Sequence, residues 1–190
     1  MTISAILKHG GLGVIPTDTI YGMVARARDR KAVARLYQLR RETAQKPFII
    51  LISSLKDLAA FGVTPNATAL AFLKTVWPGK VSVILPCPKA SFRYLHLGTK
   101  TLAFRMPKLR RLRALLTQTG PLVAPSANLE GKRPAETIQE ARTYFGSHVD
   151  LYISGGRRLR GAPSTLVSLL GAQPIVVRQG AVSLASREAA

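Results

Sequence analysis

Short, nearly unbroken apolar runs recur from one end of the chain to the other: "LGVIP" (12–16), "PFIILI" (47–52), "VSVILP" (81–86), "TLAFRM" (101–106), "PLVAP" (121–125), "DLYIS" (150–154), "STLVSL" (164–169) and "PIVVR" (174–178). Runs of this length without a polar alternate read as strands covered on both faces. Between them lie segments with helical spacing. "DRKAVARLYQLR" (29–40) repeats Val33, Leu36 and Tyr37 behind Asp29, a cap residue. "NATALAFLKTVW" (66–77) opens on Asn66, while "KLRRLRALLTQTG" (108–120) and "ETIQEARTYFG" (136–146) close on glycine. Strand and helix in alternation dictate an α/β fold, with antiparallel pairing near the C-terminus where strands follow one another without helices. A length of 190 residues suits one domain with a sizeable core. We read residues 1–184 as that domain and 185–190, "ASREAA", as a tail.

Charge narrows the partners. Lys and Arg number 28 against 9 Asp and Glu, a formal charge of +19. Most cations therefore lack a carboxylate, which points to a polyanion, most simply RNA or DNA; a generically basic surface is the plainer account. Cys87 is the only cysteine, which rules out an internal disulfide and a cysteine-built zinc site. His9, His96 and His148 are scattered without ligand spacing. No apolar run is long enough to span a bilayer, and the first residues do not read as a signal peptide. The expectation is a soluble, cytoplasmic protein with no membrane partner.

Several strands finish in polar, glycine-bearing loops: "PTDTIYG" (16–22), "APSANLEGKRP" (124–134), "GGRRLRGAPST" (155–165) and "VRQGA" (177–181). Ligands of α/β sheets sit beyond strand ends, where small hydroxyls and backbone N–H groups hold phosphate or carboxylate without bulk. Arg105 and Arg178 each end a strand, and a guanidinium fork suits either anion. Alternatives stand beside each reading. Thr17 and Thr19 serve as well as caps of a turn, and Ser126 and Asn128 as an Asx or ST turn. Arg105 could pair with a carboxylate, although carboxylates are few. Asp18 could be a base or a metal ligand, but a turn-stabilising role suits it better. No GxxxxGK[ST], GxGxxG or GxSxG element is present.

Six motifs in order, "PTDTIYG", "WPGK" (77–80), "AFRMP" (103–107), "PSANLEG" (125–131), "GAPSTLV" (161–167) and "VRQGAV" (177–182), resemble the threonylcarbamoyl-AMP synthase family, also called YrdC or TsaC, over nearly the whole chain. The resemblance implies a YrdC-like twisted mixed sheet with flanking helices around a wide basic cleft. It also implies a nucleotidyltransferase that converts L-threonine, bicarbonate and ATP, with Mg²⁺ as counter-ion, into L-threonylcarbamoyladenylate and pyrophosphate. That product serves the N6-threonylcarbamoyladenosine modification of tRNA. Implied partners are tRNA or double-stranded RNA and the transferase machinery of that modification. By the same resemblance Thr17, Tyr21, Arg105, Ala124 and Ser164 surround threonine, with Thr19 shaping the same wall. Arg40, Thr101, Ser126, Asn128 and Arg178 face ATP. No protein nucleophile is implied; proximity and charge neutralisation carry the reaction. Metal ligands stay unassigned.

The family's Lys-x-Arg pair departs here. Arg40 holds the lysine position and Glu42 the arginine position, with Arg41, Lys46 or the arginines of "RRLR" (157–160) as substitutes. Lys80, Leu109 and the extra basic residue in "GKRP" are smaller departures. A carboxylate within about 4 Å of a phosphate charge costs a few kcal/mol at intermediate dielectric. The alternative function is therefore an RNA- or nucleotide-binding relative whose synthase reaction is lost or altered.

Overall fold

A computed structural model describes residues 1–41, 46–156, 159 and 161–184. The order of elements is α1 (Ile3–Lys8), β1 (Gly13–Pro16), β2 (Tyr21–Arg26), α2 (Arg30–Arg40), β3 (Ile50–Leu51), α3 (Ala67–Val76), β4 (Val81–Pro86), α4 (Arg93–His96), β5 (Thr101–Arg105), α5 (Arg110–Thr119), β6 (Leu122–Val123), α6 (Ile138–Phe145), β7 (Leu151–Tyr152), β8 (Thr165–Ser168) and β9 (Ile175–Arg178). A 3₁₀ segment at Leu55–Phe61 joins β3 to α3.

The helix boundaries follow local chemistry. Asp29 accepts from the Ala32 N–H, Asn66 from the Ala69 N–H and Thr137 from the Glu140 N–H, each satisfying an otherwise orphaned donor of the first turn. Gly120 and Gly146 end α5 and α6 with positive φ, as their place after the last apolar repeat predicts.

The strands form one mixed sheet in the order β7-β1-β2-β6-β3-β5-β4-β8-β9. β1–β7, β3–β5 and β4–β8 run parallel. The other adjacent pairs run antiparallel, so antiparallel pairing is spread through the sheet and not confined to the C-terminus.

Alternation along the strands divides the core. Val14, Met23, Ile50, Val123 and Phe104 join the larger cluster with Leu36, Phe61 and Phe145. Their neighbours Ile15, Val24, Leu51 and Leu122 join a smaller cluster with Leu7 of α1 and Leu112 and Leu116 of α5. This half of the sheet is covered on both faces, as the apolar runs predict. The other half is not. No residue of β5, β4, β8 or β9 joins the smaller cluster under α1 and α5, and Ala103, Ile84 and Leu166 of these strands line the cavity described below. At the margin, Ile175 is 61% and Val177 55% exposed. The expectation that every apolar run is covered on both faces fails at β9, which among the described residues pairs with β8 alone.

Several elements differ from the sequence reading. "PFIILI" yields only a two-residue strand, and β2, α1 and the 3₁₀ segment went unpredicted. Glu42, Arg157, Arg158, Arg160 and the tail at 185–190 lie outside the described residues.

Candidate active site

A cavity of about 470 Å³ opens on the uncovered sheet face. Its floor is apolar: Leu51 of β3, Ile84 of β4, Ala103 of β5 and Leu166 of β8. Its walls are the strand-end loops. Of the residues assigned from the sequence, Thr17, Tyr21, Arg105, Ala124, Ser164, Arg40, Thr101, Ser126 and Arg178 all line it, and Thr19 does too. Distant stretches of chain thus converge on one hollow.

Asn128 is the exception. It is not among the lining residues, and it is 6% exposed. Its amide donates to the carbonyls of Leu129 and Lys132 at 2.7 and 2.9 Å, which ties the 126–132 loop to itself. This is a brace of the loop and not an Asx turn, since Oδ1 accepts no hydrogen bond among the described residues.

The wall from β1 to β2 is a tight turn. Thr17 Oγ1 donates to the Ile20 carbonyl at 2.6 Å and accepts from the N–H groups of Thr19 and Ile20 at 3.2 and 3.3 Å. Its hydroxyl is committed to the turn. The Tyr21 hydroxyl is likewise engaged, accepting from the Gly155 N–H at 2.7 Å, which binds the 155–165 loop to this wall. A Cβ on Gly161 would lie 2.6 Å from the Thr19 carbonyl oxygen. Only glycine lets that loop come so close.

Arg105 ends β5, flanked by β3 and β4. Its Nη1 donates to Asp18 Oδ1 at 2.8 Å, and the two side chains are 5% and 10% exposed. Asp18 Oδ2 accepts from the Lys108 N–H at 3.0 Å. The carboxylate partner that the scarcity of acids argued against is therefore present. Burial pushes the Arg105 pKa down from its ordinary value, and the charge and hydrogen bond of Asp18 oppose that shift.

Arg178 ends β9 and donates through Nη2 to the Ser164 carbonyl at 2.9 Å. Partial desolvation lowers its pKa. The Ser164 hydroxyl lies 2.8 Å from that of Ser82, both buried. On the remaining wall, the Arg40 guanidinium donates through Nη1 to the Ser126 carbonyl at 2.5 Å and sits 5.6 Å from the centroid of the Phe48 ring.

Register explains how these groups meet. Val83 of β4 faces Phe104 of β5, so the next residues along, Ser82 and Arg105, stand opposite. Ser82 faces Leu166, and Leu166 faces Arg178. Arg105, Ser82, Leu166 and Arg178 form one row across four strands. At about 4.8 Å per strand, the two arginine backbones are roughly 14 Å apart. The hollow thus has cationic groups at both ends, with Arg40 and Lys46 added in the lining, and no described lining residue is a carboxylate. Such a site can hold two anionic groups separated by an apolar body.

Sequence reasoning missed Ser82, Ile84 and Leu166, although the period-2 spacing of Thr101, Ala103 and Arg105 already marks one strand face. It also missed the link from Asp18 to Arg105, for which the sequence carries no signal. Among the described residues, no group of three or more His, Cys, Asp or Glu could hold a metal ion, and no helix is long and apolar enough to cross a membrane.

The chain matches the family model for Sua5, YciO and YrdC, described as "Telomere recombination", over residues 5–180. It is 31% identical to the threonylcarbamoyl-AMP synthase of Pyrococcus abyssi, covering 95% of this chain and 54% of that protein. With the threonylcarbamoyl-AMP synthase of Thiobacillus denitrificans the identity is 32%, covering 88% of this chain and 89% of that one. Crystalline P. abyssi Sua5 complexed with L-threonine superposes with a TM-score of 0.86 at 30% identity, over 93% of this chain and 52% of that one. The chain spans about half the length of the P. abyssi relative. Fold, motif order and sequence likeness agree, and this chain belongs to the Sua5/YciO/YrdC family.

Proposed function

We propose that this protein is an L-threonylcarbamoyladenylate synthase, joining L-threonine, bicarbonate and ATP with release of pyrophosphate, and that its product feeds the N6-threonylcarbamoyladenosine modification of tRNA. The row of Arg105, Ser82, Leu166 and Arg178 carries the reading. One end takes an amino-acid carboxylate and the other a nucleotide phosphate, and the apolar floor lies between them. Threonine-bound P. abyssi Sua5 and the named synthases support the substrate pair.

In this reading Arg105 takes the threonine carboxylate. Thr17, Tyr21 and Ala124 bound the amino-acid end, the first two chiefly by fixing the wall, and Ser164, bonded to Ser82 and Arg178, reaches threonine from the other side of the row. Arg178, Arg40, Ser126 and Thr101 bound the nucleotide end, and Asn128 braces the loop that presents Ser126. The threonine amine attacks bicarbonate to give a carbamate with loss of water, and a carbamate oxygen attacks the α-phosphorus of ATP as pyrophosphate leaves. The protein's part is to hold the two anions within reach and to neutralise charge that builds on the phosphates. Mg²⁺ would come with the nucleotide and screen its phosphates; no described lining residue is a carboxylate. RNA contact rests on the +19 charge, as does any docking to transferase machinery that handles tRNA in a cytoplasmic setting.

The test is incubation of the purified protein with labelled ATP, Mg²⁺, bicarbonate and threonine. The expected result is threonine-dependent pyrophosphate release with a labelled adenylate adduct. Absence of both, with salt-sensitive RNA binding retained, favours the non-catalytic alternative.

A further inference from the structure

We infer that Asp18 determines which anion Arg105 accepts: it positions the guanidinium and makes the amino-acid end of the cavity nearly neutral, so that phosphate groups are turned toward the other end. The inference rests on the synthase reading and adds a specificity residue to it.

Asp18 is absent from the cavity lining, whereas Arg105 is part of it. The carboxylate therefore acts from behind. Both of its oxygens are anchored, Oδ1 by Arg105 Nη1 at 2.8 Å and Oδ2 by the Lys108 N–H at 3.0 Å. The Arg105 backbone is fixed as well, its carbonyl accepting from the Ile52 N–H at 2.9 Å. A long side chain that could adopt many rotamers is thus held at both ends. Among the described residues, Nη2 and Nε of Arg105 have no protein acceptor, which leaves that edge of the guanidinium fork for a ligand. A planar carboxylate matches it in two parallel hydrogen bonds.

Charge supplies the selectivity. A guanidinium with its own buried counter-ion carries no net charge at a distance, so it holds a ligand by geometry. The opposite end differs: Arg178 stands there with the neutral Ser164 carbonyl as its partner, and no described lining residue is acidic. A group with two or more negative charges gains more at that end than a singly charged carboxylate does, and it loses more beside Asp18. The two substrates, one monoanionic at its carboxylate and one polyanionic, are sorted without any steric filter. This accounts for one of only 9 acidic residues standing beside an anion site.

The experiment measures inorganic phosphate as an inhibitor against threonine, at fixed ionic strength and saturating ATP, in the wild type, Asp18→Asn and Asp18→Glu. In the wild type, phosphate is expected not to compete with threonine. Asp18→Asn keeps an acceptor for Arg105 but removes the charge. Phosphate then becomes competitive with threonine, and the ratio of its inhibition constant to the threonine KM falls about tenfold or more. Asp18→Glu keeps the charge and restores the exclusion. A purely structural role would move threonine and ATP constants together without creating phosphate competition. Phosphate competing with threonine in the wild type overturns the inference even if no variant folds. So does a ratio within twofold of wild type in Asp18→Asn, or a fall in Asp18→Glu equal to that in Asp18→Asn. A wild type that turns over normally yet gives any of these results leaves the synthase reading intact, whereas a wild type with no threonine-dependent turnover removes both.

Discussion

Truncating Arg178 to alanine is the sharpest probe of the nucleotide end. Its strand is exposed, and among the described residues the side chain makes one hydrogen bond, to the Ser164 carbonyl at 2.9 Å. A hydrogen bond to a charged group contributes about 1.5–3 kcal/mol. Solvent access places Arg178 at the lower end, so Arg178→Ala should weaken ATP by about 1.5 kcal/mol, or roughly tenfold in Kd. The lost bond to Ser164 costs stability only about 0.5–1.5 kcal/mol, which leaves the fold intact. Titration calorimetry with ATP in fixed salt reads the affinity, and a melting curve checks the fold. Arg178→Lys should recover part of the loss, because it restores charge without the fork. A change in Kd below twofold in a folded Arg178→Ala protein would remove Arg178 from the nucleotide site and break the cross-strand row as a functional unit.

Three further outcomes follow from the packing. A Cβ at Gly180 would lie 2.3 Å from the Pro163 carbonyl oxygen and 2.5 Å from the Ser164 carbonyl carbon, so Gly180→Ala should cost about 1–3 kcal/mol, a fall in Tm of roughly 2–10 °C; an unchanged Tm contradicts the close approach. Burial alone would raise the Asp150 pKa, but hydrogen bonds from the Leu12 N–H and Arg35 and the Arg35 charge hold it below the ordinary carboxylate value. Its stabilisation is therefore present above the unfolded-state pKa and is lost as pH falls through the lower folded value, so Asp150→Asn should flatten the acid limb of a stability–pH curve and leave the neutral limb parallel to wild type. Cys87 is fully buried with its pKa raised by desolvation, so an aromatic disulfide reagent at pH 8 should label it only after denaturant is added; prompt labelling of the native protein would contradict its place in the core.

Much of this architecture is written in local pattern. Asp29, Asn66, Gly120 and Gly146 stand where helices begin and end, because capping depends on residues a few positions apart. Five of the six motifs led to the cavity lining, because most of the walls are contiguous loops; "WPGK" contributes no lining residue. What stayed hidden depends on partners remote in sequence. The bond between Asp18 and Arg105 spans 87 positions, and neither residue's neighbourhood announces the other. "PIVVR" has the composition of a covered strand, yet sheet order puts it at the margin, and no window of five residues reports sheet order. Asn128 has the chemistry of a ligand contact, but its amide turns inward to its own loop. "YGMVAR" follows directly on the polar turn at Thr17–Ile20, and that turn masks the strand β2.

The outermost position of β9 has a consequence for how ligands are gathered. Arg105 belongs to a strand zipped on either side, whereas Arg178 rides on a flap of sheet fastened along a single seam and by the clasp of the Thr165 hydroxyl to the chain at 180–182. The amino-acid end is a fixed anvil; the nucleotide end can breathe by opening one ladder of hydrogen bonds, a far smaller unit than the whole fold. If the proposed nucleotide site holds, ATP bound there would stabilise the β8–β9 ladder by favouring the closed seam over the opened one.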